Sequence, residues 1–443
     1  MNPLEINYAD TCQVTPEQLQ SVEQQLKTEI SHISNICDSE YQSPYAALYA
    51  PFDEDLISTI LSTVKIKKSL NPTTLVVIGI GGSNLGTIAV LEAIRGKFYN
   101  NYYDIKVYFV DTVDTDYVHD IAEVVEQELA TGNNILINVI SKSGSTTETI
   151  ANFELFLEIL KSHRPYNYHA FVVATTDTDS PLWHLAQTEE FTCLAIPYHV
   201  GGRYSVFSAV GLFPLLFLGI NIKDFCAGAR AAFTTNTHTD ITHNSAALSA
   251  AIIATQYQHG NIIHDTFIFS TALSACGAWY RQLSAESIGK AEDNNNKRVN
   301  IGLLPTISIG STDLHSVAQL YLAGPHNRFT TFITVNKHHT NLRTPNYPEF
   351  ESIVPHIQRR SLTAIMDAIL QGTQKAYQRD KRPFMSVTLM DISAYTVGYF
   401  LYTKMIEIIY LGHLLNVNSF DQPQVELYKK ETKQILAHQQ ETV

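Results

Sequence analysis

The chain has 443 residues, 45% of them apolar and only 16% charged, with a formal net charge of −13. That length exceeds one ordinary core and predicts two or three domains, while the low charge content predicts much buried surface. The acidic balance argues against nucleic-acid or anionic-membrane binding, which needs a basic footprint, and an anionic small molecule would need a local positive site.

No basic segment followed by an apolar one opens the chain, so no signal peptide is expected. Residues 15–65 read as helical, with breaks at Pro44 and Pro51. A strand–helix rhythm follows, with strands over 75–80, 105–110, 135–140, 170–174 and 192–196 and helices over 84–94, 117–129, 146–163 and 181–187. Short apolar runs alternating with helical periods predict a parallel sheet covered on both faces. The most apolar stretch, 206–222, contains Ser208, Gly211, Pro214 and Gly219 and is too short for a membrane span, so it reads as a buried helix. The rhythm restarts with strands over 266–270, 304–309, 330–335 and 385–390 and helices over 272–290, 312–322 and 395–415, separated by polar loops at 293–298 and 337–345. The division expected is an N-terminal helical segment packing on the second domain (1–65), a smaller α/β domain (66–205), bridging helices (206–245), a larger α/β domain (246–415) and a C-terminal tail (416–443). The five cysteines are widely spaced, odd in number and without a Cys-x-x-Cys pair, which fits reduced thiols in a cytoplasmic protein.

Five segments carry candidate chemistry. GIGGSNLG (79–86) joins a strand to a helix, and its glycines would let backbone N–H groups approach a phosphate. A dinucleotide site competes, because Asp111 ends the next strand, but the spacing is not G-x-G-x-x-G. SKSGSTTET (141–149) follows another strand, so both loops would lie at the carboxyl ends of one sheet. Gly82, Ser83, Ser141, Ser143 and Thr146 could ring one terminal phosphate, with Lys142 as a nearby cation. Ser145 and Glu148 fit a capping box, which makes Glu148 a cap rather than an acid. In VGGRYS (200–205), Arg203 reads either as a domain-bridging ion pair or as a guanidinium over a developing oxyanion. In QLSAESIGK (282–290), Glu286 shares a helical face with Trp279 and Leu283, which would partly desolvate it as suits a general base, unless it forms an exposed pair with Lys290. In STDLH (311–315), His315 reads either as a half-buried structural histidine or as a proton shuttle at a helix start. No His-Glu-x-x-His occurs, and no metal is indicated.

These segments, in this order, together with the tail NSFDQP (418–423) and Val425-Glu426, resemble the glucose-6-phosphate isomerase family in its shorter bacterial form, from about residue 40 to 430. The resemblance implies two sugar-isomerase-type, flavodoxin-like α/β domains, a cytoplasmic homodimer, no cofactor, and interconversion of glucose 6-phosphate and fructose 6-phosphate through a cis-enediolate. It implies that Ser83, Ser141, Ser143 and Thr146 hold the phosphate, Glu286 moves the proton, Arg203 stabilises the intermediate, and Gln282 contacts substrate. It also implies that His315 opens the ring from the neighbouring subunit, and that Lys404 is the ring-opening lysine. Thr403, Ser143 and Tyr198 depart from residues common in the family, which bears most on Lys404. The alternative expectation is a non-catalytic sugar-phosphate sensor of the same fold.

Overall fold

The computed structural model describes residues 3–440. The chain begins with a short strand, β1 (Leu4–Asn7), and the helix Pro16–Ser34. The first sheet contains β2 (Pro72–Ile78), β3 (Lys106–Val110), β4 (Asn134–Ile140), β5 (Val172–Thr176) and β6 (Thr192–Ala195). Its order is β3-β2-β4-β5-β6 and every pairing is parallel. The earliest of these strands, β2, therefore lies inside the sheet, with β3 on one side and β4 on the other. The winding reverses between β2 and β4, which opens a crevice beyond their carboxyl ends. The two loops leaving that point are the glycine-rich and hydroxyl-rich segments.

The apolar strand runs follow from this layering. Along β2, Leu75 and Val77 enter the large core, whereas Val76 and Ile78 enter a second core with Val118 and Phe153. A strand alternates its side chains, so apolar residues at successive positions require cover on both faces.

The second half contains β7 (Ile263–Ile268), the hairpin β8 (Lys290–Glu292) and β9 (Arg298–Ile301), then β10 (Leu304–Ile309), β11 (Arg328–Lys337) and β12 (Phe384–Asp391). The sheet order is β1-β12-β11-β7-β10. Only β1 runs antiparallel to its neighbour. The helix Ala394–Leu414 is buried from Thr396 to Gly412, as expected of a helix apolar on all sides. The segment before β2 packs against it: the Tyr402 hydroxyl donates to the Leu48 carbonyl at 2.6 Å, and His413 faces Glu29 at 3.4 Å. The apolar stretch after residue 206 forms the helix Ala209–Phe217, almost wholly buried. No helix among the described residues is long and apolar enough to cross a membrane.

Four features differ from the sequence expectation. The N-terminal segment contributes β1 as well as helices. The polar loop at 293–298 is the turn of the β8–β9 hairpin. The helix expected over 312–322 is broken into a 3-10 turn, Thr312–Leu314, and a short helix, Ala318–Ala323. An 18-residue helix, Leu362–Arg379, fills a stretch where no element was expected.

Candidate functional site

A cleft of about 680 Å³ lies at the crevice, within the usual range for a small-molecule site. The 79–84 loop forms one wall and contributes Gly82 and Ser83. A Cβ on Gly82 would lie 2.2 Å from the Gly202 carbonyl carbon, so glycine is what lets this loop meet the 3-10 turn Gly202–Phe207. Buried Asn84 fixes the loop by donating to the Gly79 carbonyl at 2.8 Å.

The hydroxyl-rich loop forms the next wall. Gly144 takes φ +61°, and a Cβ there would meet Ser180 Oγ at 2.6 Å. Lys142, Ser143 and Thr146 line the cleft. Ser141 is buried behind them, its Oγ 3.0 Å from Thr146 Oγ1, so it holds Thr146 instead of lining the cleft. The capping box is not formed. The helix Thr147–His163 has Thr146, not Ser145, at its N-cap, with no side-chain bond to the first turn. The Thr146 hydroxyl is turned toward Ser141 and Ser143, while Ser145 bonds Ser143 at 3.3 and 3.4 Å. The first N–H groups of the helix thus lack a side-chain acceptor beside a ring of hydroxyls, which is an anion-binding arrangement. Lys142 stands 5.6 Å from the centre of the Tyr198 ring, and burial lowers its pKa, with Asp177 opposing and Arg203 adding to that effect.

Arg203 is almost completely buried. Its Nε donates to Ser287 Oγ at 2.8 Å, and Nη2 donates to the Ser419 and Asp421 carbonyls at 2.7 and 3.1 Å. Nη1 donates to Glu286 Oε2 at 3.2 Å and Gln422 Oε1 at 2.7 Å. Its contacts bridge the two halves of the chain, as one expectation had it, and Arg203 also lines the cleft. Glu286 sits on the helix Ser274–Ile288 and faces Gln282, whose Nε2 donates to Glu286 Oε1 at 2.9 Å. It lies one turn from Leu283 and two from Trp279, both buried, but its own side chain reaches the cleft and stays 30% exposed. Polar partners, not apolar walls, surround its carboxylate. Nor does it pair with the Lys290 ammonium: Lys290 Nζ donates to the Glu286 main-chain carbonyl at 2.8 Å.

Two expected residues lie elsewhere. Lys404 is buried in the helix Ala394–Leu414, 2.6 Å from Glu407, and does not line the cleft. The nearby Thr403 donates no charge and bonds Asn236 at 2.9 Å, so the whole turn is core. His315 is exposed, at the end of the Thr312–Leu314 turn, and does not line the cleft of this chain. Besides Lys142, the lysine that lines it is Lys429, 2.7 Å from Glu426 on the helix Val425–Gln440. Lys429 and Gln422 were missed from sequence. The signal was at hand, since the tail quoted for the resemblance ends three residues before Lys429 on the same helix. Asp111, the acid of the dinucleotide alternative, does not line the cleft. Among the described residues no group of three or more His, Cys, Asp and Glu side chains could hold a metal ion.

Two largely parallel, helix-covered sheets, a hydroxyl-lined cleft at the switch point of the first, and Glu286 brought from the second half to Arg203 of the first define a phosphosugar isomerase type of fold. The phosphoglucose isomerase family model matches residues 55–443. A probable glucose-6-phosphate isomerase of Methanococcus maripaludis is 33% identical over 82% of this chain and 78% of its own length. The glucose-6-phosphate isomerase of Carboxydothermus hydrogenoformans is 32% identical over 82% of this chain and 79% of its own. In fold, the crystal structure of a glucose-6-phosphate isomerase from Chlamydia trachomatis superposes with a TM-score of 0.85 at 21% identity, covering 100% of this chain and 90% of that one. The chain belongs to the phosphoglucose isomerase family.

Proposed function

We propose that this chain interconverts glucose 6-phosphate and fructose 6-phosphate by proton transfer through a cis-enediolate. The observation that carries the reading is the Arg203–Glu286 pair, 3.2 Å apart, in the same cleft as Ser83, Ser143 and Thr146. A proton beside a carbonyl is weakly acidic, so its removal needs a placed base and a partner for the oxyanion, each contributing a factor of about 10² to 10⁴. Glu286 takes the proton from C2 and returns it to C1. Arg203 Nη1, now shared by Glu286 and Gln422, turns one of its bonds to the enediolate oxygen. Gln282 orients the carboxylate. The phosphate does not react; its binding to Ser83, Ser143, Thr146 and the N-terminus of the helix Thr147–His163, with Lys142 nearby, fixes the sugar against the base.

Lys429 is the cation in this reading for opening the sugar ring, replacing Lys404. His315 is supplied by a second copy in a cytoplasmic homodimer, and no cofactor takes part. The exposed position of His315 outside its own cleft supports this, as does the run of exposed apolar side chains Leu342, Tyr347, Phe350, Ile353 and Val354. The test is direct. Purified, metal-free protein given fructose 6-phosphate without dinucleotide should form glucose 6-phosphate, and absence of turnover in folded protein rejects the reading.

A further inference from the structure

Arg203 is held largely by the segment 419–422, which has no regular secondary structure. Of its five hydrogen-bond acceptors, Ser419, Asp421 and Gln422 belong to that strap, and the others are Ser287 and Glu286. A second buried cation grips the same strap. Lys290 is 7% exposed and its ammonium donates to the Asp421 carbonyl, lies 3.0 Å from Asp421 Oδ1, and donates to the Glu286 carbonyl at 2.8 Å. The Asp421 carbonyl therefore accepts from Arg203 and Lys290 together. Lys290 also ties that carbonyl to the main chain of the residue whose carboxylate pairs with Arg203.

We infer that Lys290 is a positioning residue for proton transfer: its bridge between Asp421 and the Glu286 main chain sets the spacing of the Arg203–Glu286 pair. This rests on the isomerase reading of the site. Lys290 does not line the cleft, so it acts without touching substrate. Burial is the main influence on its ammonium and lowers its pKa, with Asp421 opposing. If it is lost, the Asp421 carbonyl keeps one cation, the strap loosens, and Arg203 keeps its charge but not its place. Misplacement of catalytic groups by about 1 Å costs on the order of 10²-fold in rate.

The test compares wild type with Lys290→Met, Lys290→Arg and Asp421→Asn, using fructose 6-phosphate for kinetics and C2-deuterated glucose 6-phosphate for label transfer to C1. Lys290→Met should lower kcat about 10- to 100-fold with KM within about twofold, and should lower the fraction of deuterium carried to C1, because a loosened pair admits water. Lys290→Arg should recover most of both. A variant that loses only thermal stability, loses only KM, or retains wild-type kcat and label transfer overturns the inference. If Lys290→Met does not fold, Asp421→Asn decides, because that carboxylate is half exposed. It should lower kcat several-fold at unchanged KM, and wild-type values reject the bridge. An active wild type with unaffected variants overturns this inference alone, whereas an inactive wild type overturns the isomerase reading with it.

Discussion

At the scale of single residues, the cleft separates groups that react from groups that hold. Glu286 is the base of the proposal, so Glu286→Gln should lower kcat by about 10² to 10⁴ while leaving the affinity for a non-reacting phosphorylated sugar alcohol near wild type, measured by competitive inhibition. Near-normal turnover in that variant would remove Glu286 from its role. The two lysines give an opposed pair of predictions. Lys429→Ala should slow turnover and leave thermal stability close to wild type, because none of the described side chains on its helix is buried. Lys404→Ala should do the reverse, because it leaves the Glu407 carboxylate buried without its cation. Sequence singled out Arg203 because a charged residue behind two glycines and before an apolar helix needs a reason, and Glu286 because of its spacing from Leu283 and Trp279. It could not separate Lys404 from Lys429. Both are lysines on C-terminal helices, and the difference is whether Glu407 and the Tyr280 ring, 5.0 Å away, enclose the ammonium.

At the scale of elements, the long helix Ala394–Leu414 carries this buried network. Glu407 accepts from Lys404 at 2.6 Å and from the Tyr280 hydroxyl at 2.7 Å. Breaking a buried pair on one side costs about 3–5 kcal/mol, so Glu407→Ala should lower the unfolding free energy by that order in denaturant titration. The end of the same helix is sensitive to pH. The Glu29 hydrogen bond raises the His413 pKa, against the effect of burial, with further support from the Glu29 charge and the Gln25 carbonyl. Burial pushes Glu29 up, but hydrogen bonds from His413 and Tyr45 outweigh it and leave Glu29 below its ordinary value. The raised histidine contributes fully below its unfolded pKa of about 6.5 and loses that contribution as pH rises through the higher folded value. The lowered carboxylate contributes above about 4.5 and loses its share as pH falls. The melting temperature should therefore decline as pH rises above about 6.5, and His413→Gln should flatten that decline. The strand–helix rhythm was legible because β2, β4 and β5 send apolar residues into cores on both faces. The helix Leu362–Arg379 was not, although Leu362, Ile365, Met366, Ile369 and Leu370 recur at helical spacing, because only Tyr377 on it is fully buried. Strand β1 was not, because Leu4 and Ile6 are too few to show a period. The absent cap at Thr146 was hidden for another reason: Ser145 to Glu148 satisfies the capping pattern in sequence, and only the turn of Thr146 toward Ser141 shows the hydroxyls committed elsewhere.

At the scale of the whole molecule, the open question is whether one chain holds a complete site. Its cleft collects base, guanidinium, hydroxyl loop and Lys429, while His315 remains outside and exposed. In a two-fold dimer every contact occurs twice, so a residue outside its own cleft can serve the partner's. The proposal then has a consequence that a self-sufficient chain cannot share. Glu286→Gln and His315→Ala would each inactivate a homodimer. When equal amounts are mixed under conditions of subunit exchange, half of the dimers are mixed. In a mixed dimer one site combines both lesions and the other combines the intact Glu286 of one chain with the intact His315 of its partner. Activity should return to about a quarter of wild type, because half of the sites in half of the dimers are complete. A histidine acting within its own chain gives no recovery at any mixing ratio. Recovery that rises with exchange time and vanishes on cross-linking the parent dimers beforehand would place His315 across the interface. Mixing that restores nothing, in protein shown by labelled subunits to exchange, would confine the chemistry to the cleft of a single chain.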